Sequence, residues 1–123
     1  KMTGDNSYRE LTLCTRDWLL GRNPWGAGQF VCIPESGGVT PQYPHSVLAM
    51  KTNRPIRGAM NDGPVYASIF KGLKGVSLQR PDPFAPFQSD LVVYHDDFWD
   101  YATNEPTLDG TAEALYWLAT LSP

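Results

Sequence analysis

Glu105 and Asp109 are two carboxylates four residues apart, at the head of a segment whose apolar spacing predicts a helix from Pro106 to Leu121. On a helix that spacing puts both groups on one face, where they repel. Repulsion raises the pKa of one of them, as a general acid at neutral pH requires. The helix N-terminus acts the other way, because its dipole favours the ionised form. Glu105 is then the candidate proton donor, and Asp109 a neighbour that offsets the dipole. The plainer alternative is that acidic residues simply suit a first helical turn. Tyr101 and Asn104 stand just ahead, an aromatic ring and an amide of the kinds that contact sugars.

Other residues offer weaker chemistry. Asp96 and Asp97, with Asp90, Asp100 and His95 nearby, make an oxygen-rich loop of the type that can hold Ca²⁺. No EF-hand spacing accompanies them, and no second His or Cys lies at zinc-ligand spacing from His95. No cofactor is therefore expected, with Ca²⁺ the weaker alternative to a solvated acidic loop. His45 follows Pro41-Gln42-Tyr43-Pro44, and Trp25 lies in Arg22-Asn23-Pro24-Trp25-Gly26. Taken singly, each reads as turn structure. There is no phosphate-binding glycine motif, no nucleophile elbow and no basic stripe.

These residues must be held by few regular elements, because 11 Pro and 11 Gly in 123 residues favour long loops. A capping box at Ser7-Tyr8-Arg9-Glu10 opens a first helix, with Tyr8, Leu11, Cys14 and Trp18 as its apolar stripe and Gly21 as its stop. Residues 24–64 read as loop, with a short strand at Phe30–Ile33 and a helical turn at Ser46–Met50. Val65 to Leu73 reads as a short amphipathic helix. Leu91 to Tyr94 suits a strand or an extended loop. In the last helix Pro106 takes the first position, and Leu108, Ala112, Leu115 and Ala119 form the stripe. Cys14 and Cys32 read as free thiols, Cys14 as a small buried hydrophobe. Two helices and loops do not enclose a core, so the stripes call for partners and imply exposed apolar surface. The net charge of −3 argues against nucleic-acid and anionic-membrane partners. No apolar run approaches the roughly 20 residues of a membrane span.

Four segments in order carry a specific resemblance. They are Leu20-Gly21-Arg22-Asn23-Pro24-Trp25-Gly26, Pro41-Gln42-Tyr43-Pro44-His45, Gly58-Ala59 with Gly63-Pro64, and Asp96-Asp97-Phe98-Trp99-Asp100-Tyr101-Ala102-Thr103-Asn104-Glu105. Together they resemble the C-terminal part of the catalytic domain of family 9 glycoside hydrolases, the endoglucanase or cellulase type, from about Tyr8 to Leu121. The resemblance implies an all-α fold, the C-terminal portion of an (α/α)6 barrel with long loops. It implies that Glu105 is the general acid, that His45, Tyr101, Asn104 and Trp25 serve substrate binding, and that Asp96, Asp97 and Asp109 support them. It implies inversion, with a water attacking opposite the acid, and a substrate of β-linked oligo- or polysaccharide. The family's aspartate base belongs to an N-terminal region that this chain does not contain. The missing N-terminal part of the domain is then a required partner, and the chain alone is expected to be inactive. A secreted or periplasmic location follows from the family only.

Three departures from the family pattern touch the cleft. His45-Ser46-Val47 replaces a His-His-Arg, Asp96-Asp97-Phe98 replaces an Asp-Asp-Arg, and the stretch from Tyr66 to Tyr94 is longer than usual. They leave the acid in place and widen the substrate class to glucosamine-type and other β-linked sugars. The rival reading is a carbohydrate-binding or structural module on the same fold without hydrolysis. An upstream Asp-x-x-Asp pair in the parent sequence separates the two.

Overall fold

Helix α1 spans Arg9–Leu19 and opens one residue later than the Ser7 box predicts, with Tyr8 in the capping position. Its periodic stripe meets the core only at Trp18: Tyr8, Leu11 and Cys14 are exposed, and no residue of the helix is fully buried. Cys14 is thus not the buried hydrophobe its spacing suggests, although both cysteines are free thiols. The chain leaves α1 through Gly21, whose φ of +110° lies in the left-handed region. A Cβ there would come within 2.9 Å of the Gly38 backbone, so the close approach of the two loops also requires glycine.

The computed structural model describes residues 6–33 and 38–121, and the part of the predicted loop at 34–37 lies outside them. Two short helices follow, α2 at Val47–Thr52 and α3 at Ala67–Gly72, with a 3-10 turn at Ala85–Phe87. The last helix, α4, spans Leu108–Leu121. Phe30 forms only an isolated bridge to Met60, not a strand.

The expectation of an all-α barrel portion fails. Strand β1, Val65–Tyr66, pairs antiparallel with β2, Val92–Val93, and among the described residues no barrel is formed. The register is Val65 with Val93 and Tyr66 with Val92. The reason is local. Val65, Val92 and Val93 are β-branched and favour extended backbone. Tyr66 keeps extended dihedrals as the capping residue of α3, so the predicted helix from Val65 loses its first turn to the sheet. The elements that pack closely on one another are α3, β1 and β2, not the two long helices.

The apolar core is small. Trp25, Ala27, Phe84 and Tyr94 are buried together, with Trp18 and Val92 against them. Tyr94 meets Trp25 edge-on at 6.0 Å and Phe84 at 5.4 Å between ring centroids. Gln88 stitches the proline-rich loop to this core: its Oε1 accepts from Trp25 Nε1 at 3.1 Å and from the Tyr94 N–H at 3.1 Å. Asn23 does the same for the helix exit, donating to the Trp18 and Ala27 carbonyls.

Helix α4 buries Ala114 and half-buries Thr111, Trp117 and Leu118, while its Leu108, Leu115 and Tyr116 are 89, 71 and 70 % exposed. Side chains of α1 and α4 line a common hollow of about 220 Å³ with Thr15, Leu19, Ala114 and Trp117 in its wall. Exposed leucine and tyrosine on two helices form apolar surface that associates in water. The 123-residue chain is therefore expected to sediment faster as concentration rises, and Leu115→Glu with Tyr116→Glu to reduce that association. A concentration-independent monomer contradicts this.

Candidate active site

Three aspartates between Tyr94 and Thr103 build the site's floor, each by accepting N–H groups from a different loop. Asp96 accepts from the backbone of Gln42 and Tyr43, both at 2.8 Å. Asp97 accepts from the backbone of Gln79 and Arg80 at 2.9 Å and of Trp99 at 2.8 Å. Asp100, with no exposure, accepts from the backbone of Ala102 and Thr103, from the Thr103 hydroxyl at 2.7 Å and from His95 Nδ1 at 2.8 Å. An ionised carboxylate only accepts, so Nδ1 of His95 carries the proton.

Burial is the largest influence on both Asp96 and Asp100. It pushes the Asp96 carboxyl above its ordinary value, and the hydrogen bonds from Gln42, Tyr43 and Asn104 do not cancel it. At Asp100 burial also pushes up, but His95, Thr103 and the backbone donors outweigh it and hold the group below its ordinary value. Among the described residues no cluster of His, Cys, Asp or Glu has the arrangement to hold a metal ion.

Asn104 sits on this floor with no exposure. Its amide donates to the Tyr43 carbonyl at 2.7 Å, to Asp96 at 3.1 Å and to the Asp97 carbonyl at 3.3 Å, and its oxygen accepts from Asn61. A side chain so enclosed holds its neighbours in position. Trp25, 7 % exposed, is likewise a core residue.

Glu105 follows Asn104 and is exposed. It precedes α4 by three residues, so it and Asp109 are not a helical pair four apart. The predicted helix starts late because the backbone there is already used: Asn61 and Pro106 form an antiparallel bridge, and the Thr107 N–H donates to the Met60 carbonyl at 3.1 Å. Glu105 lines a cleft of about 640 Å³ whose wall includes His45, Arg57, Ala59, Thr107 and Thr111. His45 donates from Nδ1 to the Phe98 carbonyl at 2.6 Å, which leaves Nε2 as its acceptor atom. Its ring meets Tyr101 edge-on at 6.1 Å. The Tyr101 hydroxyl donates to the Lys74 carbonyl at 2.9 Å, so Tyr101 braces the His45 ring and ties in the long insertion.

Asp109 is exposed in the first turn of α4 and does not line the cleft. The Gly110 N–H first, then the Thr107 side chain, hold its carboxyl below the ordinary value. Glu105 is thus joined in the cleft by His45, with Tyr101 behind it and Asn104, Asp96 and Asp97 beneath. Trp25 stands apart, and Asp109 lies outside the cleft wall, close enough to Asp62 for their charges to interact.

Three residues at the site escape a reading of the sequence. Arg57 is in the cleft wall. Arg80, from the long insertion, stacks 3.7 Å over the ring of Tyr43. Asp62 lies beside Glu105; partial burial first, then the charges of Glu105 and Asp109, hold its carboxyl above the ordinary value. Only the turn-forming run Asn61-Asp62-Gly63-Pro64 hints at a fixed loop there.

Because the Asp100 carboxyl titrates below its unfolded value, the stability it gives is complete above the ordinary carboxylate range. It is lost as pH falls through the lower folded value. Asp100→Ala strands His95 and the 102–103 backbone, and is expected to cost about 3–5 kcal/mol at neutral pH. It should also flatten the acid side of the melting temperature against pH. Calorimetry across the acid range checks both, and an unchanged acid side contradicts the assignment.

Residues 1–118 match the model of glycosyl hydrolase family 9. Neither the curated proteins nor the solved structures give a match. The match runs through every segment that frames the cleft, from the helix exit at Arg22 to Glu105 and α4. This chain belongs to glycosyl hydrolase family 9.

Proposed function

We propose that this glycosidase chain supplies the general acid, Glu105, of an inverting hydrolase of β-linked glucan or related oligosaccharides, and not its base. The observation that carries the reading is that Glu105 is the one carboxylate among the residues lining the 640 Å³ cleft. An inverting enzyme needs two carboxyl groups, roughly 6.5–9.5 Å apart, with a water between sugar and base. The second must then come from outside these residues, from the N-terminal part of the same catalytic domain.

Glu105 gives its proton to the glycosidic oxygen as the C1–O bond breaks. A water attacks C1 from the opposite face, and the base takes the water's proton. Nε2 of His45 accepts from a sugar hydroxyl, while Tyr101 holds the ring in place. Arg57 places a guanidinium in the cleft wall, but the His45-Ser46-Val47 run lacks the family's arginine, and that departure favours sugars beyond plain cellulose, glucosamine-type ones among them. Such substrates are met outside the cytoplasm, in keeping with a secreted or periplasmic protein. No described helix is long and apolar enough to cross a membrane.

The purified 123-residue chain is expected to give no turnover of β-linked oligosaccharides. The complete catalytic domain is expected to release the α-anomer first, as read by proton NMR. Turnover by the chain alone, or a β-anomer as first product, contradicts the proposal.

A further inference from the structure

The bridge between Asn61 and Pro106 has a consequence for the acid. In an antiparallel pair, residues directly opposite each other share a face, with Cβ atoms about 4.5–5.5 Å apart. One step from the bridge, Asp62 stands opposite Glu105, and its N–H donates to the Glu105 carbonyl at 3.0 Å. The segment is pinned on both sides: Thr107 donates to Met60 at 3.1 Å and Gly63 to Thr103 at 3.1 Å. From below, the Asn61 amide is bound to buried Asn104. Asp62 therefore cannot slide out of register to relieve repulsion. Like charges directly opposite destabilise a ladder, so the fold by itself gains nothing from an acid at this position.

We propose that Asp62 is a positioning residue acting through Glu105: the two carboxyls form a coupled pair that holds one proton at the cleft edge, ready for the leaving group. This rests on Glu105 being the acid. The groups that face the pair are Asp109 from the first turn of α4, and His45 and Arg57 in the cleft wall beside Glu105. Burial first, then the charges of Glu105 and Asp109, hold the Asp62 carboxyl above its ordinary value, in keeping with an acid close beside it. When Glu105 passes its proton to the glycosidic oxygen it becomes a carboxylate beside the Asp62 carboxyl. The excess negative charge then favours recapture of a proton from water.

A structural aspartate and a tuning aspartate predict opposite outcomes. Carboxyl-carbon NMR titration of the 123-residue chain is expected to show the Glu105 midpoint moving to lower pH in Asp62→Asn. The Asp62 midpoint should likewise move down in Glu105→Gln. Asp62→Asn should hold or raise the melting temperature at neutral pH, because the ionised Asp62 costs stability there. In the complete catalytic domain, Asp62→Asn should draw the alkaline limb of kcat to lower pH, with a loss of roughly threefold to tenfold at neutral pH. Asp62→Glu should restore that limb. Unmoved midpoints, or a lower melting temperature in Asp62→Asn, overturn the pairing whatever Glu105 does. Coupled midpoints with full activity in Glu105→Gln overturn the acid role instead.

Discussion

The buried amide of Asn104 is the interaction on which the rest of the site depends. It joins the loop at Tyr43, the loop at Asn61 and the aspartate segment at 96–97 through one side chain. Its backbone carbonyl also accepts the His45 N–H at 2.8 Å. The two residues that face the cleft, His45 and Glu105, are therefore both one covalent or hydrogen-bonded step from the same amide. A site built mostly from loops needs such a centre, because among the described residues only a two-residue antiparallel ladder and no helix bundle fixes the loops relative to one another.

Around that centre the chain uses hydrogen bonds where most domains use apolar packing. Among the described residues the buried polar set, Gln29, Thr40, Asn61, His95, Asp97, Asp100, Thr103 and Asn104, is nearly as large as the buried apolar set of nine. Buried polar groups stabilise only when satisfied, and most here are. Among the described residues Gln29 Oε1 stands without a hydrogen-bond partner, while the buried Tyr94 hydroxyl pairs with the Asn61 side chain. This arrangement fixes geometry closely and leaves the outer faces of α1 and α4 without cover. Order at the site and exposed apolar surface at the helices are two sides of the same architecture.

Much of this is legible in the sequence, for physical reasons that differ from residue to residue. The cleft motifs are contiguous runs, so their order alone identifies the family, and the spacing of apolar residues finds α1, α4 and the segment of α3. Where α4 begins is not legible, because Pro106 and Thr107 are taken by a bridge to a segment far away in the chain. Of the two short strands, β2 falls within Leu91–Tyr94, which suits a strand or an extended loop, whereas β1 is hidden in the predicted helix from Val65 because it exists only through its partner. Apolar periodicity finds the stripes of α1 and α4 but cannot say that they face outward. The aromatic residues divide likewise, since Trp25 is packed in the core while Tyr101 lies against His45. Asp62 carries no motif, and its meaning comes wholly from standing opposite Glu105.

The central claim is that Glu105 donates a proton to the leaving group. The measurement that tests it most directly compares Glu105→Gln with the unaltered enzyme, in the complete catalytic domain, on two β-glycosides. One has a sugar leaving group and the other a dinitrophenolate, which departs without protonation. The account predicts a kcat loss of roughly 10²–10⁴ on the first and little loss on the second. Equal losses on both would contradict it.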